Sequence, residues 1–132
     1  MITELEIKTR ARSEMFDITG EIRKITKDSG IKEGICYLYV PHTTAGITIN
    51  EDADPDVARD IINTLEKMIP YEGNYRHSEG NAAAHVKASL IGSSKYILIK
   101  DSEILLGKWQ GIFFCEFDGP RSRKIILKLT EG

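Results

Sequence analysis

Apolar and polar residues alternate at the start of the chain, where Leu5 and Ile7 are set between Glu4, Glu6 and Lys8. That period of two predicts a half-buried strand. Ile18, Ile22 and Ile25 then fall at helical spacing, with Asp17 or Thr19 as the cap and Ser29-Gly30 as the stop. Ile35-Cys36-Tyr37-Leu38-Tyr39-Val40 is a continuous apolar, aromatic and β-branched run, which predicts a central strand. Ile47-Thr48-Ile49 resumes the strand pattern. Asp54-Pro55-Asp56 predicts a helix start, with Asp54 as cap and Pro55 in the first turn. Val57, Ile61, Leu65 and Met68 form that helix's buried stripe, and Pro70 stops it. A polar loop to Gly80 precedes a helix from about Asn81 to Gly92, with Val86, Leu90 and Ile91 inward. Three strands complete the chain at 96–99, 112–117 and 124–129. Two or three helices among strands, without regular βαβ alternation, predict an α+β fold with an antiparallel or mixed sheet.

The chain has 132 residues, enough for one domain spanning 1–132 and too few for two. A net charge of −2 argues against broad nucleic-acid binding, which leans on clustered Lys and Arg. No apolar run approaches the roughly 20 residues of a membrane span, so no membrane partner is expected. Cys36 and Cys115 both lie in strand-like runs without Cys-x-x-Cys spacing. Two buried reduced thiols are expected, which suits a cytoplasmic protein.

Candidate chemistry begins with the three histidines, His42, His77 and His85, each set among small, polar or acidic residues. Three neutral imidazoles at one point would make a metal site with an open position. They could equally carry protons or bind phosphate. Between His42 and Asp56 lie Thr43, Asn50 and Glu51, and Asn50-Glu51 joins a strand end to a helix start, where rigid elements position site residues. Glu51 is a candidate carboxylate ligand or general base. Asn81 and His85 are four apart and share a helix face, with Ala82, Ala83, Ala84 and Ala88 leaving room for a ligand or another chain. Strand parity places Trp109, Phe113, Cys115 and Phe117 on one face, and Gln110, Glu116 and Asp118 on the other beside Ile112 and Phe114. A polar–apolar face of that kind fits a pocket or subunit contact. Arg123 shares parity with Ile125, Leu127 and Leu129, so its guanidinium needs a carboxylate such as Glu116, or a phosphate.

Taken in order, these segments resemble the YjbQ-like family, also called the secondary thiamine-phosphate synthase family. The resemblance is carried by His42-Thr43-Thr44-Ala45, Asn50-Glu51, Tyr75-Arg76-His77, Asn81-Ala82-Ala83-Ala84-His85, Leu106-Gly107-Lys108-Trp109-Gln110 and Glu116 to Arg123. It implies an α+β protein built on a β-sandwich and assembled as a homotrimer. Lys108 departs from the family, which often has Thr there. The resemblance further implies a transferase that couples a pyrimidine-methyl diphosphate to a thiazole phosphate, releasing diphosphate.

On that reading His42, His77 and His85 hold a divalent metal, zinc or magnesium, or act directly on phosphates. Glu51 orients a ligand or carries a proton. Thr43, Asn50, Asn81, Gln110, Glu116, Asp118, Arg121 and Arg123 contact a small phosphorylated heterocyclic substrate. Trp109 could stack on that heterocycle, although its parity favours packing in the core. Two rival functions fit the same residues: a metal-dependent hydrolase, and a non-catalytic trimer that binds a small anion.

Overall fold

The computed structural model describes all residues, Met1–Gly132. Eight strands and three helices follow one another as β1 (Ile2–Lys8), β2 (Glu14–Asp17), α1 (Thr19–Ser29), β3 (Glu33–Tyr39), β4 (Ala45–Glu51), α2 (Pro55–Met68), α3 (Ala82–Ile91), β5 (Ser94–Lys100), β6 (Glu103–Ile104), β7 (Gln110–Glu116) and β8 (Ser122–Glu131). They form two sheets, ordered β1-β8-β3-β5-β6 and β2-β7-β4. Every pairing is antiparallel. The α+β class expected from the pattern is the class observed, and of the two sheet types expected it is the antiparallel one.

One core lies between the sheets. Cys36, Leu38, Ile97, Ile99, Ile125 and Leu127 of the large sheet meet Ala45, Ile47, Ile112 and Phe114 of the small one, with Ile18 and Ile22 from the start of α1. A second core lies on the far side of the small sheet, where α2 and α3 bring Leu65, Ala84 and Ala88 against Phe113, Cys115 and Phe117. Strand β7 is therefore buried on both faces from Gly111 to Glu116. This accounts for the unbroken run Ile112-Phe113-Phe114-Cys115, since a strand covered on both sides has no reason to alternate. Each such side chain contributes about 1.5–3 kcal/mol by leaving water. Of the mixed polar–apolar face expected to meet a pocket or a subunit, Ile112, Phe114 and Glu116 are enclosed between the sheets, while Gln110 is exposed and Asp118 half-buried.

The helix ends follow local chemistry. Asp54 caps α2 by accepting from the Asp56 amide at 2.9 Å, with Pro55 at the first position. Gly30 ends α1 at φ 75, a left-handed conformation that glycine adopts without a Cβ clash. Asn81 precedes α3 but makes no capping hydrogen bond through its side chain. Helix α3 meets expectation at Ile91, which packs against the second core, and departs from it at Val86 and Leu90. Its buried face is Ala82, Ala83, Ala84, Lys87 and Ala88, whereas Val86 and Leu90 are exposed, as is Met68 at the end of α2. The small residues win because α3 lies hard against β4. A Cβ on Gly46 would stand 2.7 Å from the Gly92 carbonyl oxygen and 3.2 Å from Ile91 Cγ2, so helix and strand approach closely here. Lys87, buried on that face, donates to Glu66 of α2 at 2.7 Å, and Glu66 also accepts from Ser13 at 2.8 Å.

Gly46→Ala should therefore wedge the C-terminal end of α3 away from the small sheet. The expected loss is about 1–3 kcal/mol, the usual cost of overpacking, measured as a lowered denaturant midpoint with an unchanged slope.

Candidate functional site

The polar residues near His42 are organised by one buried ion pair that spans the two sheets. Arg123 of β8 donates through Nε to Glu116 Oε1 at 2.8 Å and through Nη2 to Glu116 Oε2, in forked geometry. Glu116 is fully buried, and it also accepts from Thr9 Oγ1 at 2.7 Å and from the amides of Phe117 and Asp118 at 3.1 and 3.0 Å. Burial pushes its pKa upward, but Arg123, the Asp118 amide and Thr9 outweigh burial and hold the carboxyl below its ordinary value of 4.5. Arg123 Nη2 further donates to Thr44 Oγ1 at 2.8 Å, while the Phe117 amide donates to the Thr44 carbonyl at 3.1 Å. Of the two partners the sequence allowed Arg123, the structure supplies the carboxylate.

Thr44 is thereby clamped, and with it the segment carrying His42 and Thr43. Past Tyr39–Ile126, the last pair of the β3–β8 ladder, the strands part and His42 takes the next position. Its Nε2 accepts from the Lys124 amide at 3.0 Å. A backbone N–H can only donate, so that ring nitrogen is unprotonated and Nδ1 carries the proton. Partial burial, followed by the charge of Arg123, holds the His42 pKa below 6.5. His42 also forms the wall between two clefts. One, of about 350 Å³, is lined by His42, Thr43, Ala45, His85, Ala88, Ser89, Gly92 and Ser93. The other, of about 550 Å³, opens over Lys8, Ser122 and Lys124.

His85 stands across the first cleft from His42, on α3. Its ring meets His77 edge-on, with centroids 5.1 Å apart at 80°. His77 is partly exposed in the loop before α3, 3.8 Å from the Glu79 carboxylate. Of the three imidazoles, His77 and His85 thus make contact, and His42 shares only the cleft lining with His85. No group of three His, Cys, Asp or Glu side chains is placed to hold a metal ion. The expected three-histidine metal centre does not form within the chain, because His42 Nε2 is committed to Lys124 and only His77 and His85 touch.

Asp118 accepts from Asn81 Nδ2 at 2.9 Å and from Arg121 Nη2 at 2.9 Å, while Arg121 Nε donates to the Asp118 carbonyl at 2.7 Å; none of the three lines the cleft. Burial raises the Asp118 pKa, but Asn81 and Arg121 together bring it below 3.8. Asn81 Oδ1 is buried without a partner.

Asn50, Glu51 and Gln110 lie elsewhere. Ala45 pairs with Glu116 at one end of the β4–β7 ladder and Glu51 with Gln110 at the other, roughly 20 Å away at the rise of an extended strand. There Glu51 Oε2 accepts from the Asp54 amide at 3.3 Å, Asn50 Oδ1 from the Glu51 amide at 2.7 Å, and Gln110 Oε1 from the Gly107 amide at 2.7 Å. Trp109 sits in the turn before β7, where strand parity no longer governs it, and is 56% exposed instead of packed in the core. Lys108 Nζ lies 4.8 Å from the centre of its ring. Sequence reasoning missed Ser89, Gly92 and Ser93 as cleft walls; the small polar run Gly92-Ser93-Ser94 between helix and strand was the available signal.

The model of the family described as UPF0047 protein YjbQ-like matches residues 3–132. The chain belongs to this family. A UPF0047 protein of Methanocaldococcus jannaschii is 55% identical over 129 residues, covering 98% of this chain and 94% of the relative. The UPF0047 protein YugU of Bacillus subtilis is 48% identical over 130 residues, covering 98% of each. A solved YjbQ/UPF0047-family structure from Clostridium acetobutylicum superposes with a TM-score of 0.95 at 51% identity, covering 97% of this chain and 99% of the other. A Sulfolobus solfataricus structure matches with a TM-score of 0.95 at 30% identity, covering 100% and 97%, and is described as a protein of unknown function.

These relatives correct the activity expected from the resemblance. The family is known here as UPF0047, uncharacterised, and none of these YjbQ-like relatives is described as a thiamine-phosphate synthase or as any other transferase. Nothing in these relatives supports coupling of pyrimidine and thiazole phosphates by this chain.

Replacing Glu116 with Leu should leave Arg123 buried and unpaired, at a cost of about 3–5 kcal/mol in chemical denaturation. The double variant Glu116→Leu, Arg123→Leu should recover a large part of that loss. Equal instability of the single and double variants would show that the pair does not hold the sheets together.

Proposed function

We propose that the cleft between His42 and His85 is a catalytic site for proton transfer on a small polar molecule. The observation that carries this reading is the fixed ring of His42. With Nε2 held by the Lys124 amide, His42 presents Nδ1–H as a neutral donor. His85, across a space of about 350 Å³, is the group that takes or returns a proton. His77 supports the His85 ring from its edge, and the Thr43 and Ser93 hydroxyls orient polar groups of the substrate. A cleft of this volume fits a metabolite and not a polymer. The two free, buried thiols, Cys36 and Cys115, are compatible with a reducing cytoplasmic setting.

The chain assembles, on the same reading, as a homotrimer. The outer face of the large sheet supports this, since it exposes Tyr37, Tyr39, Tyr96 and Leu98 at 45%, 49%, 66% and 47%. Tyr37 and Tyr96 are directly paired across β3 and β5. Contiguous apolar surface of this kind marks contact with another chain.

Proton–nitrogen spectra of the imidazoles test the catalytic reading. His42 should appear as the Nδ1–H tautomer and titrate below 6.5. Because its folded pKa is lowered, its contribution to stability is present above 6.5 and is lost as the pH falls through the folded value. Metabolites that bind should shift the His42 and His85 rings together, and His85→Ala should reduce any turnover found by about 10²–10⁴-fold. Ligands that bind while leaving both rings unmoved would sink the proposal.

For the assembly, Tyr37→Arg with Tyr96→Arg should convert a trimer to monomers in sedimentation experiments. A wild-type monomer at micromolar concentration would refute the interface.

A further inference from the structure

Lys95 is a charged side chain that neither the fold nor the proton-transfer reading uses. Opposite Leu38 in the β3–β5 register, it shares the inner face of the large sheet with that fully buried residue. It stands at the end of the sandwich, where β5 has just left the cleft wall at Gly92-Ser93. Its ammonium reaches back over that wall, with Nζ 3.8 Å from where a Cβ on Gly92 would be. Gly92 has φ 97, and in that conformation the position beside the ammonium stays free of any side chain.

The charge of Lys95 is unspent. Every ion pair in the chain draws its cation from Lys24, Arg59, His77, Lys87, Arg121, Arg123 or Lys124. The ammonium groups that donate hydrogen bonds are those of Lys24, Lys87 and Lys124. Lys95 is in neither set. It lies near Cys115, a neutral thiol that burial pushes up to about 12 and that Lys95 pulls slightly back. Lys95 is half-buried as a residue and no carboxylate pairs with its ammonium, so the charge is free to meet an anion. The cleft has no acidic residue in its lining to compete for it.

We infer that Lys95 is the specificity-determining cation of the His42–His85 cleft, and that the ligand of this cleft carries a small oxyanion, a phosphate or a carboxylate. The oxyanion sits over Gly92 against Lys95 Nζ, with the Ser93 and Thr43 hydroxyls and the His42 Nδ1–H as further donors. The reacting part of the molecule then faces His85. This rests on the proton-transfer reading of the cleft and adds the class of molecule it selects.

The test is titration of the wild type, Lys95→Met and Lys95→Arg with inorganic phosphate and, separately, with acetate. Binding is read from the His42 and His85 ring resonances and the Gly92 and Ser93 amides. Lys95→Met keeps the apolar stem, and an unchanged melting temperature shows that it is folded. Saturable binding of one anion by the wild type is expected, weakened by at least about tenfold in Lys95→Met, the loss of one charge-assisted hydrogen bond. Lys95→Arg should retain it. The stronger of the two anions identifies the oxyanion as phosphate or carboxylate. Equal affinity in Lys95→Met and wild type would overturn the role of Lys95. Failure of the wild type to saturate with either anion would overturn the ligand class. Uncharged metabolites that still moved both rings would then leave the proton-transfer reading standing, so the two failures are distinct.

Discussion

A buried carboxylate and a buried guanidinium, Glu116 and Arg123, join the two sheets of this protein, and the end of the molecule that carries the cleft hangs from that pair. Removing two charges from water costs several kcal/mol each, and only close geometry with every lone pair occupied offsets it. Here Glu116 receives donors from Thr9, Phe117 and Asp118 in addition to Arg123. The same arginine holds Thr44. Rigid placement of Thr44 places His42 and Thr43, and the Asp118 amide places a carboxylate that gathers Asn81 and Arg121. One interaction therefore joins the sheets and positions the His42–Thr43 wall of the cleft.

The second constraint is the close approach of α3 to the small sheet. Alanines at 82, 83, 84 and 88 and glycines at 46 and 92 let backbone come near backbone. Such contact sets His85 facing His42 while the larger Val86 and Leu90 are turned outward. The cleft lies at the seam where helix, small sheet and large sheet all end, and its polar character comes from those ends. Helix and strand termini leave side chains and backbone groups without regular partners. His42 fills one such gap by accepting the amide that β3 no longer reaches.

Chemistry at this seam differs from what three histidines suggest at first sight. A metal needs lone pairs converging on a point. The ring of His42 has its Nε2 lone pair turned to the backbone, and His77 meets His85 by ring edge. On the proposed reading, what the cleft offers a ligand are donors: an imidazole N–H, hydroxyls and the Lys95 ammonium beside Gly92. That set would favour negative charge, and the far end of β4 takes no part in it: there Asn50 and Glu51 brace the turn into α2 and Gln110 braces the turn into β7.

Local pattern in the sequence determined the elements and the fold class. Alternation at Leu5 and Ile7, the Asp54-Pro55 start and the Ser29-Gly30 stop each act over a few residues, so they survive without knowledge of neighbours. Short strands such as β2 and β6 were not legible, because their apolar residues are too few to show a period. The candidate residues around His42, His85, Asn81 and Asp118 were legible from their types. Their partners were not. Whether Arg123 answered a carboxylate or a phosphate, whether Trp109 was inside, and which face α3 buried depended on contacts between elements far apart in the chain. Antiparallel register alone put Glu51 at the opposite end of β4 from Ala45, a separation that proximity in sequence conceals. Only the tertiary structure decided these, because burial and pairing are properties of two surfaces brought together, and the sequence displays each surface singly.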